Sequence, residues 1–188
     1  MTREGQAIYT IGYGNRDLDR FMALLRQYGI EYLIDIRSKP YSRYNQPFSK
    51  APLEGALNKQ GFKYVFMGDT LGGIPDDESC YTNGKVDYKK VGQYGPYREG
   101  ILRLKAAWEK QLVVALMCSE RKPQECHRSK LIGETLARMQ IPVQHIDEEG
   151  NLKSQQEVIA LLTKGQMPLP LFEKPFTSNK KYQDDSPE

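Results

Sequence analysis

The chain has no apolar run near the roughly 20 residues that a bilayer-spanning helix requires. Its opening stretch, MTREGQAIYTIGYG, lacks the apolar segment and small-residue cleavage site of a secretory signal. These absences predict a cytoplasmic protein with no membrane partner. Cysteine is scarce: Cys80, Cys118 and Cys126 are the three present, an odd number with no CxxC pair, which does not suggest a disulfide framework. Only His127 and His145 are available beside them, and the linear ligand spacing of a structural zinc site is missing. The expectation is therefore no metal and no cofactor. No internal repeat is found. The formal net charge of +3 is too small to specify a polyanionic partner, and nothing in the sequence addresses oligomeric state.

Hydrophobic residues at 39% and charged residues at 27% are enough for a packed core, which excludes wholesale disorder. Apolar stretches rich in β-branched and aromatic residues alternate with stretches of helical period. Strands are expected at 7–11, 32–36, 63–66, 112–117 and 143–146, and helices near 17–28, 52–60, 96–110, 126–139 and 155–162. Leu112–Met117 (LVVALM) is continuously apolar and should be central. This pattern predicts a single α/β domain over 1–165: a mainly parallel sheet of about five strands flanked by helices, a Rossmann-like three-layer arrangement. Residues 67–93 are glycine-rich and show little periodicity, as functional lids often do. The proline-containing stretch 166–188 is expected to be extended, then disordered after about 177.

Ligands of open α/β sheets bind beyond the carboxyl ends of the strands. That rule selects two polar segments, Asp35–Arg43 (DIRSKPYSR) and Cys118–Arg128 (CSERKPQECHR). In the second, a helix starting near Cys126 would present free backbone N–H groups to an anion, with Arg128 adding a bidentate fork. The same field would lower a thiol pKa, making Cys126, beside His127, a nucleophile or thiolate; a small inert hydrophobe is the other reading. Glu120 fits a general acid or base if it points inward, and an exposed loop glutamate otherwise. In the first segment, Asp35 and Arg37 alternate along a strand end and can share one side. Asp35 could move a proton or form a structural ion pair with Arg37, Arg43 or Arg128. Arg37 and Arg43 interleaved with Tyr41 and Tyr44 suit a phosphate with a stacked base, or are simply a solvated basic loop. Tyr13 lies in a Gly12-Tyr13-Gly14 turn without the third glycine of a dinucleotide fingerprint. Gly72 and Gly73 belong to the lid-like stretch. His145 reads as a satisfied structural histidine.

These motifs resemble a known family. YTIGYGNR at 9–16, LIDIRSKPYSRYNQPF at 33–48, FKYVFMGDTLGG at 62–73 and ALMCSERKPQECHR at 115–128, with VQHI at 143–146, are similar to the "domain of unknown function 488" family of bacterial and archaeal proteins. The resemblance spans nearly all of 8–146. The family's marks fall on Asp35, Arg37, Arg43, Phe48, Leu71–Gly73, Cys118, Glu120 and Cys126–Arg128. It implies a compact α/β domain with no assigned cofactor. Rhodanese and related phosphatase domains share the Asp-x-Arg strand end and a cysteine after a central strand. Their cysteine loop closes in about five residues into a cradle of N–H donors. Here Cys118 lies ten residues before Arg128 and Pro123 removes a donor, which argues against catalysis by Cys118 of that type.

The leading expectation is an anion-binding cleft of an enzyme acting on a phosphate-bearing substrate, a nucleotide or nucleic acid. Catalytic chemistry would come from Asp35, Glu120, Cys126 or Cys118. Binding would come from Arg37, Arg43, Tyr13, Tyr41, Tyr44, His127, Arg128, Gly72 and Gly73. The alternatives are a non-enzymatic nucleotide or nucleic-acid binding module and a rhodanese-like thiol-transfer domain.

Overall fold

The structure, a computed structural model, describes residues 6–163 and 176–182. Strands β1 (Ile8–Gly12), β2 (Tyr32–Asp35), β3 (Lys63–Phe66), β6 (Val114–Cys118), β7 (Val143–Ile146) and β8 (Leu152–Ser154) form one sheet in the order β3-β2-β6-β1-β7-β8. All pairings are parallel except β7 with β8. The sheet thus has six strands rather than about five. The added β8 is a three-residue edge strand, too short for a periodicity to reveal. Strands β4 (Tyr81–Thr82) and β5 (Lys85–Val86) make a separate hairpin inside the stretch expected to lack regular structure. That stretch also holds the short helices α3 (Gly68–Leu71) and α4 (Tyr88–Val91).

Alternation along the strands divides the core into two. Val114, Leu116 and Cys118 of β6 join Ile8 and Ile34 on one face, against α5 (Gly95–Glu109) and α6 (Glu134–Arg138). Ala115 and Met117 join Ile11 and Leu33 on the other, against α1 (Leu18–Gln27) and α2 (Lys50–Lys59). Every residue of β6 is buried because both faces are covered, which explains its unbroken apolar run. Helix α1 leaves β1 on one face of the sheet and α6 follows β6 on the other. The adjacent ends of β1 and β6 are therefore a topological switch point, where a crevice opens.

The expected helix at 126–139 is differently built. Pro123–Glu125 is a 3-10 turn, Cys126 is extended (φ −114, ψ 151), and the chain then makes one π-helical turn, Arg128–Gly133, before α6. Helix α7 (Gln155–Leu162) starts from a capping box in which Ser154 and Glu157 satisfy each other's backbone N–H groups.

The expected tail lies in part outside the described residues. Within 176–182, where disorder was expected after about 177, the chain packs on the β4–β5 hairpin. Ser178 N donates to Val86 O (3.0 Å), Val86 N donates to Ser178 Oγ (3.0 Å) and Tyr182 N donates to Gly84 O (2.8 Å). Ser178 is buried. Two of these are backbone pairings and one is to a side chain; all are non-local, and composition carries no trace of them. No helix among the described residues is long and apolar enough to cross a membrane.

Candidate functional site

A cleft of about 360 Å³ opens at the switch point. Its buried lining residues include Tyr13, Arg37, Cys118, Cys126 and His127; Glu120, Tyr41 and Gly73 complete the part foreseen from sequence.

The β2 side is an ion pair on an aromatic stack. Asp35 is fully buried and takes two hydrogen bonds from the Arg37 guanidinium, Nε to Oδ1 (2.9 Å) and Nη2 to Oδ2 (2.6 Å). It takes a third from the Arg37 backbone N (3.1 Å) and a fourth from Tyr64 Oη (2.7 Å). Burial disfavours the Arg37 charge, but the Asp35 carboxylate outweighs it and raises the guanidinium pKa further. The guanidinium lies 5.3 Å from the Tyr13 ring centroid. Tyr13 in turn stacks on Phe48 at 4.5 Å, and Phe48 meets Phe21 edge-on. Arg37 Nη1 is buried and has no hydrogen-bond partner among the described residues. Asp35 does not line the cleft; it lies beneath Arg37 as its counter-charge. Arg43 stacks on Tyr44, which is 94% exposed, and both stand outside the cleft on the surface.

The β6 side is a knot of mutually facing donors. Cys118 Sγ is 2.7 Å from Glu120 Oε2, and Cys126 Sγ is 3.4 Å from the same oxygen. His127 Nδ1 is 3.8 Å from Cys118 Sγ and 3.6 Å from Cys126 Sγ. Its Nε2 is 3.1 Å from Leu71 O, a group that can only accept. This carbonyl assigns the proton to Nε2 and leaves the Nδ1 lone pair facing both sulfurs. A Cβ on Gly73 would come within 2.8 Å of Nδ1, so a glycine at 73 lets this segment close onto the imidazole. Burial and the adjacent Cys126 push the Cys118 thiol well above its usual pKa. Burial also opposes ionisation of Glu120, but the Cys118 hydrogen bond and the His127 imidazole hold its carboxyl below the usual value. His127 is lowered by burial and raised more by Cys118 and Glu120, for a net rise.

Arg128 has a different place from the one its spacing suggested. It is fully buried, outside the cleft lining, and donates from Nη1 to Glu120 O (3.1 Å) and from Nη2 to Arg121 O (3.2 Å). It pins the loop after β6 across the end of β1. A Cβ on Gly12 would strike both Glu120 O and the Arg128 guanidinium, which accounts for a glycine there. Because Cys126 is extended and the first turn after it is π-helical, no α-helical N-terminus is presented at Cys126. Gly72 likewise packs on Ser38 and lines a smaller neighbouring cavity, not the cleft.

Two further walls complete the lining, one from the tail, which no sequence signal marks, and one from the lid-like stretch, whose tyrosines suit aromatic contacts. The segment Ser178–Lys180 with Tyr182 forms one wall, and Tyr88 of α4 another. Lys130, which emerges from the π turn, is buried and reaches Asn179 Oδ1 (2.8 Å) and Thr177 O (3.4 Å), tying the wall down. Cys118, Cys126 and His127 also bring three metal-type donor atoms within 4.8 Å of one another. Linear spacing did not anticipate this convergence. The seven residues between Cys118 and Cys126 fold back so that non-adjacent ligands meet.

The model of the family described as "domain of unknown function DUF488" matches residues 17–134, more than half of the chain and including both site segments. No curated protein and no solved structure matches the chain. The protein belongs to the DUF488 family.

Proposed function

With that membership as premise, we propose that the protein is an enzyme acting on a phosphate-bearing substrate, with Glu120 as its acid–base residue. One observation carries the reading. Arg37 Nη1, buried and unpartnered among the described residues, belongs to a residue lining the same solvent-open cleft as the Cys118–Glu120–Cys126–His127 knot. A buried guanidinium N–H without an acceptor is costly, and an anionic oxygen would satisfy it. Lys39 and Lys180 add positive charge at the rim. Glu120 has the geometry of a proton carrier: one carboxylate oxygen faces the thiols while the residue remains solvent-accessible.

The outer half of the β2 loop favours a polynucleotide over a free nucleotide. Tyr41 (65% exposed), Tyr44 and Arg43 extend from the cleft rim across the surface as a stacking and phosphate-contacting strip. A non-enzymatic binding module would use this same strip. Rhodanese-type thiol transfer is not favoured, since the environment of Cys118 holds its proton on rather than releasing it.

The test pairs binding with turnover. Affinity for a labelled single-stranded oligonucleotide is expected to fall steeply with salt, and Lys39→Ala with Lys180→Ala to flatten that slope. Affinity without salt dependence would remove the phosphate reading. Any phosphoester or nucleotide activity found by screening is expected to vanish in Glu120→Gln with the fold retained. Full activity in that variant removes Glu120 from the chemistry, and binding without any turnover leaves the module reading.

A further inference from the structure

We propose that Cys118 Sγ, Cys126 Sγ and His127 Nδ1 are the ligands of a tetrahedral Zn²⁺-class centre whose fourth position faces the cleft beside Glu120. The distances form the edges of such a polyhedron. With Zn–S of about 2.3 Å and Zn–N of about 2.0–2.1 Å, a tetrahedron has S···N edges of about 3.5 Å. The two S···N distances here are 3.8 and 3.6 Å, and all three ligand atoms lie within 4.8 Å of one another. Glu120 Oε2 stands outside the ligand set, 2.7 Å from Cys118 Sγ and 3.4 Å from Cys126 Sγ. The shorter is the contact of a thiol still holding its proton against a carboxylate. Metal entry exchanges two S–H bonds for two metal–thiolate bonds and sends both protons to solvent, after which the carboxylate no longer has a proton to hold it there.

The surroundings suit a metal site. Leu71 O holds the His127 ring in the tautomer whose Nδ1 is free, as an outer partner of a ligating imidazole does. Arg128 N donates to Cys126 Sγ at 3.4 Å, a hydrogen bond that stabilises a thiolate. Two thiolates, a carboxylate and a dication leave one negative charge. The nearby Lys130 ammonium is buried, bonded to neutral oxygens and without a carboxylate in ion-pair range among the described residues. Two sulfurs and an imidazole select Zn²⁺ over the oxygen-seeking Mg²⁺ and Ca²⁺. Three protein ligands and a cleft-facing fourth position are the layout of a reactive rather than a purely structural site. The two cysteines are then ligands, which frees Glu120 for proton transfer. This inference does not depend on the phosphate reading, because metal uptake is measured without substrate.

The experiment uses the full chain, reduced and stripped of metal. Adding Co²⁺ as the probe is expected to give a thiolate-to-cobalt charge-transfer band and the intense visible bands of tetrahedral coordination, saturating at one ion per chain. Zn²⁺ should then bleach both. In the wild type, Zn²⁺ is expected to protect Cys118 and Cys126 from alkylation and leave Cys80 unchanged, a readout that needs no variant to fold. Cys126→Ser and His127→Gln should weaken Zn²⁺ by about a hundredfold or more, and Cys80→Ser should not. A fully reduced wild-type chain without the cobalt–thiolate band, or with no Zn²⁺ protection of the two cysteines, overturns the proposal. So does a Cys118–Cys126 disulfide whose reduction still yields no metal uptake.

Discussion

The loops after β2 and β6 each contain a buried arginine, and the two use their hydrogen bonds in opposite ways. Arg37 pairs with a carboxylate two residues away, rests on an aromatic ring and lines the cleft. Arg128 meets no carboxylate in ion-pair range among the described residues; it donates to two carbonyls of its own loop and lies behind the cleft. The first is a buried, ion-paired charge in the wall of the cleft. The second is a brace that gives the loop of Glu120 its shape. One residue type beyond the ends of neighbouring strands lines the cleft or braces a loop, according to the partners within its reach.

The comparison can be broken most severely at Asp35. Asp35→Ala leaves the Arg37 guanidinium buried and unpaired, and a loss of about 3–5 kcal/mol in urea unfolding is expected. A loss below about 1 kcal/mol would mean that Arg37 moves out to solvent without cost. Arg128→Met should come next, at about 2–3 kcal/mol, since two part-buried hydrogen bonds from a charged donor are lost. Unlike a simple core truncation, it should also disturb metal protection of Cys118 and Cys126.

The two histidines repeat the contrast in position, for His127 lines the cleft and His145 does not. His145 donates from Nε2 to Gln155 Oε1 (2.7 Å) and accepts at Nδ1 from the Thr10 hydroxyl (2.7 Å), so both nitrogens are occupied in the neutral ring. Burial lowers its pKa to about 3. The folded state therefore takes up no proton there until pH approaches 3, while the unfolded chain does so below about 6.5. The stability due to His145 is full above that pH and falls as pH drops, by about 1.4 kcal/mol per unit. Between pH 7 and 4.5, wild type should lose about 2–3 kcal/mol more than His145→Asn. Equal losses would show that His145 is not held neutral. The smallest effect belongs to the exposed strip: Tyr44→Ala and Arg43→Ala should change stability by no more than about 0.5 kcal/mol while weakening oligonucleotide binding. Unchanged binding would separate the strip from the cleft.

Much of the architecture was legible because it follows from short-range periodicity. The continuous apolar run at 112–117 is explained by β6 lying between β2 and β1, and the Asp35–Arg37 alternation by their shared side of a strand end. The site was legible as two segments and eight of its lining residues, including Cys118, Glu120, Cys126 and His127. Arg128, Gly72 and Arg43 sit near the cleft in sequence terms but turn elsewhere, because a side chain's direction depends on backbone turns that spacing does not encode. The π turn at Arg128–Gly133 is the clearest case.

By itself, the sequence determined the five parallel strands, the longer helices and the two polar loops beside the cleft, because burial periodicity and side-chain type are local properties. The tertiary structure alone decided that Cys118, Cys126 and His127 share one point in space. It alone decided that Arg37 faces the cleft while Arg128 supports it, and that residues 178–182 return to form a wall. Those outcomes depend on loop closure and on pairings between residues far apart in the chain, where geometry and not composition chooses the neighbour.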